Sequence, residues 1–156
     1  GIEIDGSVSP VAGLTFSGNV TLSRNRLARY SVIDDAGVIA QGTLVALDGN
    51  PIAGFPDLLF NLRTAYRNGP FFASLSAKYV GPFYTDNFNL EDRKNDAYTV
   101  FNGEAMYRVA GVAGMELSVR GEIHNIFNRF YFLSGEGDAF FPAAERNYVV
   151  GITAGL

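Results

Sequence analysis

Between Met115 and His124 the chain alternates without a break. Met115, Leu117, Val119, Gly121 and Ile123 are apolar or bare, and the interleaved Glu116, Ser118, Arg120, Glu122 and His124 are all polar. A period of two does not make one continuous face on a helix; on a strand it sends one side to an apolar medium and the other to water. Register is strongly specified, because a slip of one residue would exchange the two faces.

The same rhythm recurs along the chain and predicts about seven strands. Their apolar faces are Ile2, Ile4, Val8; Leu14, Phe16, Gly18, Val20, Leu22; Phe60, Leu62, Thr64, Tyr66; Phe71, Ala73, Leu75, Ala77, Tyr79; and Thr99, Phe101, Gly103, Ala105, Tyr107, Val109. Met115 to Ile123 and then Tyr148, Val150, Ile152, Ala154 and Leu156 complete the set, and no position in it is charged. The opposite faces collect Glu3, Asp5, Asn19, Asn61, Arg63, Arg67, Lys78, Asn102, Glu104, Arg108, Arg120, Glu122 and His124. A soluble sandwich also has one apolar face, so alternation alone leaves two architectures open.

The connections separate them. Short turns at Pro10 to Gly13, Asn68 to Pro70 and Ala110 to Gly114 alternate with long stretches from about Asp34 to Pro56, Thr85 to Asp96 and Ser134 to Arg146. Short turns at one end and long loops at the other are the arrangement of transmembrane β-barrels, with the short end periplasmic. Tyr66, Phe71 and Tyr107 fall beside the short turns, and Tyr79, Phe83 and Tyr84 toward the long loops, as two interfacial girdles require. An odd number of strands does not make a single-chain bacterial barrel, and open strand edges are not tolerated in hydrocarbon. The expectation is therefore an all-β, antiparallel up-and-down meander that is part of a larger transmembrane β-barrel. A hairpin within Val38 to Leu47, where Ile39 to Val45 has some strand character, would make the count even.

Composition excludes other classes. Twelve Lys and Arg against 16 Asp and Glu, with no basic run, argue against a nucleic-acid surface. The absence of cysteine removes disulfide scaffolds, thiolate metal sites and cysteine nucleophiles. No apolar run approaches the roughly 20 residues of a membrane helix. Without an initiator Met or a leader at Gly1-Ile2-Glu3, the chain reads as a mature protein or an excised piece.

Asn125-Ile126-Phe127-Asn128-Arg129-Phe130-Tyr131 resembles the Asn-Leu-Phe-Asp-x-x-Tyr element before the last strand of TonB-dependent outer-membrane receptors, with Asn128 where Asp is usual. Arg146 to Leu156, with Gly151 within it, is similar to that family's closing strand, although Leu156 replaces the usual terminal Phe. Gly49 to Pro56, the strand Leu59 to Arg63, and Tyr79 to Tyr84 resemble further family segments in the same order. The resemblance implies that residues 1–156 are the C-terminal portion of a plugged 22-stranded barrel in the bacterial outer membrane, with plug and earlier strands outside this chain. It also implies partners: the rest of the barrel and its plug, TonB acting through that plug, outer-membrane lipid, and a scarce imported ligand such as an iron chelate, cobalamin or an oligosaccharide. The alternatives are a soluble all-β binding module and a barrel completed by sister chains.

Arg63, Lys78, Glu104, Arg108, Arg120, Glu122 and His124 form the expected lumen-facing polar set, which suits cross-strand pairing and contact with a polar plug. Asn125, Phe127, Asn128, Tyr131, Arg146 and Gly151 carry the family motifs, and their expected work is to anchor a strand end and its rim. No catalytic, cofactor or metal residues are assigned. His124 is the only histidine, and no Gly-x-Ser-x-Gly elbow accompanies it. Asp34-Asp35, Glu91-Asp92 and Asp96 read as solvated loop charge, and Ser134 to Asp138 as a flexible external loop. Asn19-Val20-Thr21 matches a glycosylation sequon by chance, in mid-strand.

Overall fold

A computed structural model describes residues 1–112 and 115–155. Seven strands make one antiparallel sheet: β1 (Ile2–Val11), β2 (Leu14–Leu22), β5 (Leu58–Asn68), β6 (Phe71–Val80), β9 (Tyr98–Val112), β10 (Met115–His124) and β13 (Asn147–Gly155), paired in that order. The remaining strands form two-stranded ribbons: β3 (Ser31–Ile33) with β4 (Leu44–Ala46), β7 (Phe83–Tyr84) with β8 (Lys94–Asn95), and β11 (Phe132–Glu136) with β12 (Ala139–Pro142). Each ribbon stands in one long loop: residues 23–57, 81–97 and 125–146.

The register realises the alternation ladder by ladder. Ile4 faces Val20, Val20 faces Phe60, and Phe60 faces Tyr79. Leu75 faces Gly103, Ile123 faces Gly103 from the other side, and Tyr148 faces Ile123. Apolar meets apolar across every strand pair, and among the described residues no second sheet covers that face: Ile126 and Phe127 of the third loop touch it at one end, beside Gly103 and Phe101, while Leu75 is 50% exposed, Val150 76% and Ile152 74%. A sandwich would bury this surface against a second sheet, whereas here it is presented to the surroundings.

Short turns join the strands at one end. In the first, Gly13 adopts φ +81°, and a Cβ there would lie 2.1 Å from the Arg67 carbonyl oxygen, so only glycine fits. That approach is productive, since the Arg67 amide donates to the Gly13 carbonyl at 2.8 Å. The turn expected at Ala110 to Gly114 joins Val112 to Met115 and lies partly outside the described residues, as does Leu156. The alternative of a wall hairpin within Val38 to Leu47 is not what the chain adopts. Ser31 to Ile33 pairs with Leu44 to Ala46 as a free ribbon, because the intervening decapeptide is folded around Asp34, and the sheet keeps its odd count.

The core is small and lies at the loop end of the polar face. Leu59, Val80 and Tyr98 form one row across three strands, Val100 sits next to it, and Phe83 and Tyr131 descend from two different loops to cover them. Phe83 is thus buried and does not serve in the girdle at the loop end, where an expected aromatic anchor has become the seat of a loop. Phe60, Tyr79, Phe101 and Tyr148 supply aromatic surface near that end of the apolar face, while Tyr66, Phe71 and Tyr107 stand exposed near the short turns.

Candidate functional site

The polar face carries a chain of charges. Glu104 and Glu122 are direct cross-strand neighbours, a placement that repels until a cation enters. Arg120 supplies it, with Nε 2.8 Å from Glu104 Oε1 and Nη2 3.3 Å from Glu122 Oε1. Arg63 reaches Glu104 from the next strands, Nη2 to Oε2 at 3.5 Å, and also donates to Ser74 Oγ at 3.2 Å. His124 Nε2 lies 3.2 Å from Glu122 Oε2. Five of the seven expected polar residues therefore form one network, which with Ser74 spans four strands. Their partial exposure makes each pair worth about 0–1 kcal/mol, so the network aligns charge more than it stabilises the fold.

Lys78 and Arg108 stand apart. Lys78 pairs across the sheet with Asn61 and Val100, Arg108 with Ser118, and among the described residues neither has a carboxylate at ion-pair distance. A trough of about 610 Å³ runs along this face between Asp5, Ser17, Asn61, Arg63, Lys78 and Asn102. It adjoins a recess of about 320 Å³ bounded by Lys78, Asn102, His124, Tyr131 and Asn147. Asn19 lies in the same wall, where its Oδ1 accepts from Asn61 Nδ2 at 2.8 Å.

Above the wall the loops are stitched into one rim. Asn50 Nδ2 donates to the Asn87 carbonyl at 2.9 Å and the Ala53 amide to Asn87 Oδ1 at 2.9 Å, tying the first loop to the second. Asn95 Nδ2 donates to the Phe132 carbonyl at 2.9 Å, and the Thr85 hydroxyl donates to the Gly137 carbonyl, tying the second to the third. Gly135 is compressed at that junction: a Cβ would lie 2.4 Å from Thr85 Cγ2. The Ser134 to Asp138 segment is therefore an ordered ribbon tip held against its neighbour, not a flexible loop.

Two of the acidic loop residues, Asp34 and Glu91, are also engaged. Asp34 is 1% exposed, and its carboxylate accepts from the amides of Val38 at 2.8 Å, Ile39 at 2.6 Å and Ala40 at 2.8 Å. Burial opposes its ionisation, but those backbone donors together outweigh it and hold the carboxyl below its ordinary range. The expectation of solvated charge fails here because a carboxylate can replace water with converging N–H groups. Glu91 is held below its ordinary range by hydrogen bonds from Lys94 and then Tyr84. Among the described residues no three acidic or histidine side chains converge as a metal site would need.

The motif residues fasten the third loop to the wall. Asn125 takes φ 53°, and its amide donates to Asn102 Oδ1 at 2.9 Å. Its side chain accepts from the Arg129 amide at 2.8 Å and donates to the Arg129 carbonyl at 2.9 Å and the Ala144 carbonyl at 3.3 Å. Asn128, at φ 50°, accepts the Arg146 amide at 2.7 Å, and Arg146 Nη1 reaches the Ile126 carbonyl at 3.4 Å. Tyr131 stacks on Tyr98 at 4.4 Å, and Phe127 meets Phe101 edge-on at 5.2 Å. Gly151 faces Arg120 across the last ladder, and nothing in the structure explains why it is glycine.

The family model for the TonB-dependent receptor-like β-barrel matches residues 1–126. The chain belongs to that family. No curated protein matches it. Among solved structures, the siderophore receptor PiuA from Acinetobacter baumannii superposes with a TM-score of 0.74 at 17% identity, over 98% of this chain and 21% of its own. The copper transporter OprC gives 0.63 at 17% identity over 96% and 21%, and the ferric citrate transporter FecA gives 0.61 at 15% over 92% and 29%. The chain spans about a fifth to under a third of the length of these structures. They share its fold and differ in cargo, so the ligand is not fixed by the TonB-dependent barrel itself. Barrels of this family are outer-membrane proteins, which agrees with the exposed apolar face.

The sequence reading missed the inner core. Leu59, Val80 and Val100 were detectable as apolar residues interrupting the polar series at the loop end of three adjacent strands.

Proposed function

We propose that this chain is the C-terminal wall segment of an outer-membrane receptor, supplying part of the barrel and its external loops for TonB-energised uptake of a scarce ligand. The observation that carries the reading is the exposed, charge-free apolar face kept in register across the whole sheet, backed by a polar face that carries the charges. In this reading the apolar face meets lipid, the polar face lines the lumen beside a plug, and the segment catalyses nothing.

Arg63, Lys78 and Arg120 guide an anionic metal chelate along the lumen in this reading. Lys78 supports it, as a cation in the trough without a carboxylate at ion-pair distance among the described residues. Energy-dependent uptake of a labelled ferric chelate by cells carrying the full-length receptor tests the whole. The segment alone is expected to transport nothing, and neutralising the three cations together is expected to slow uptake. Transport by the isolated segment overturns the wall reading; unchanged uptake in the triple variant removes the guiding role.

A further inference from the structure

The two edge strands of the sheet differ in charge but not in direction. β1 and β13 are the first and seventh strands of an antiparallel meander, so both run from the long-loop end to the short-turn end. Among the described residues each pairs on one side only, β1 with β2 and β13 with β10. On its polar side β1 presents Glu3 and Asp5, whose cross-strand neighbours are the uncharged Thr21 and Asn19. No cation lies at ion-pair distance from either among the described residues, whereas Glu104 and Glu122 share Arg120 inside the sheet. The polar side of β13 carries Asn147, Val149, Gly151 and Thr153, with no charge at all.

We propose that the free edge of β1 is completed by a transmembrane strand of the same receptor that runs antiparallel to it and carries lysine or arginine on its polar side, opposite or diagonal to Glu3 and Asp5. The inference rests on the wall-segment reading and adds the chemistry of the neighbour. Opposite charges at direct or diagonal cross-strand positions attract, and like charges there repel. A second copy of this chain does not fit. Its β13, with loops at the same end, would lie parallel to β1 and bring no charge. Its β1, paired about a two-fold axis, would place the long loops of the two copies at opposite ends and set four carboxylates on one shared face.

Disulfide trapping in the full-length receptor, assembled in outer membranes, tests this. Glu3→Cys or Asp5→Cys is combined with single cysteines at successive inward positions of the remaining barrel strands and oxidised with copper phenanthroline. The expected result is an intramolecular cross-link in most molecules at a position natively occupied by Lys or Arg, or two residues from one on the same face, with little at offset positions. Cross-linking only at positions that neither hold a native Lys or Arg nor lie two residues from one on the same face overturns the proposal, as does an intermolecular link between two copies of this segment. Should the cysteine variants assemble poorly, Glu3→Lys/Asp5→Lys is compared with Glu3→Gln/Asp5→Asn by the heat-modifiable fraction on gels. Charge reversal is expected to lower that fraction about five-fold further than neutralisation, with recovery when the facing cation is reversed too. Equal fractions overturn the proposal. Loss of the wall-segment reading has a separate signature: wild-type protein that is soluble without detergent and not heat-modifiable.

Discussion

The wall and the rim of this chain are held by different forces. In the wall, neighbouring strands share a continuous ladder and the solvent on each side fixes which residues face it, so order follows from periodicity. The rim has two-stranded ribbons and one short 3-10 turn, and its order comes from side-chain amides, hydroxyls and carboxylates that satisfy backbone groups, several of them far away in sequence, such as Asn50 with Asn87 and Asn95 with Phe132. Substitutions in the wall should be felt through partition and sterics, and substitutions in the rim through lost hydrogen bonds.

The sharpest way to break that contrast is to put a cation on the apolar face. Leu75→Arg, in mid-strand and half exposed, is expected to cost about 2–4 kcal/mol in unfolding titrations from bilayers. The same change on an exposed surface in water should be nearly neutral, so a small effect in bilayers would mean that this face does not meet lipid. Next, Gly13→Val is expected to lose about 1–3 kcal/mol because the turn needs a positive φ and the side chain would enter the Arg67 carbonyl. Thermal loss of the heat-modifiable form reads that cost.

Asn125→Ala tests the rim at its strongest point. It leaves the Arg129 amide and the Arg129 and Ala144 carbonyls without their partner, at an expected cost of about 1–3 kcal/mol. Hydrogen exchange should show the third loop opening while the strand amides stay protected; equal loss in both would make wall and rim one cooperative unit.

The smallest expected effect is a pH dependence in the first loop. Asp34 has a lowered value in the folded state, so its contribution is complete above the ordinary carboxylate value near 3.9 and is lost as pH falls through the folded value below it. Protection of the Val38, Ile39 and Ala40 amides should follow that curve in the wild type. In Asp34→Asn it should be low at every pH.

Most of the wall was legible in the sequence, because alternation and turn residues are local signals. The apolar residues assigned from period two, such as Phe71 with Tyr107 and Val119 with Ile152, are the ones that the ladders bring together. Arg63, Glu104, Arg120, Glu122 and His124 were legible as a face but not as a network, since which cation stands between two facing glutamates depends on register. The rim was largely illegible. Asp34 reads as loop charge until its neighbours are folded around it, and Phe83 reads as a surface aromatic until Val80, Tyr98 and Val100 are seen beneath it. Asn125 and Asn128 were the exception, because asparagine tolerates a left-handed backbone and bonds locally.

The small inner core bears on how such a protein can be altered. Phe83 and Tyr131 belong to loops, yet the surface that receives them, Leu59, Val80, Tyr98 and Val100, belongs to the strands. A loop transplanted from another receptor would arrive without its socket, and a loop removed would leave that socket open at the mouth. The exchangeable unit in this molecule is therefore a loop together with the last turn of wall on either side of it, a boundary set by packing and not by where the strands end.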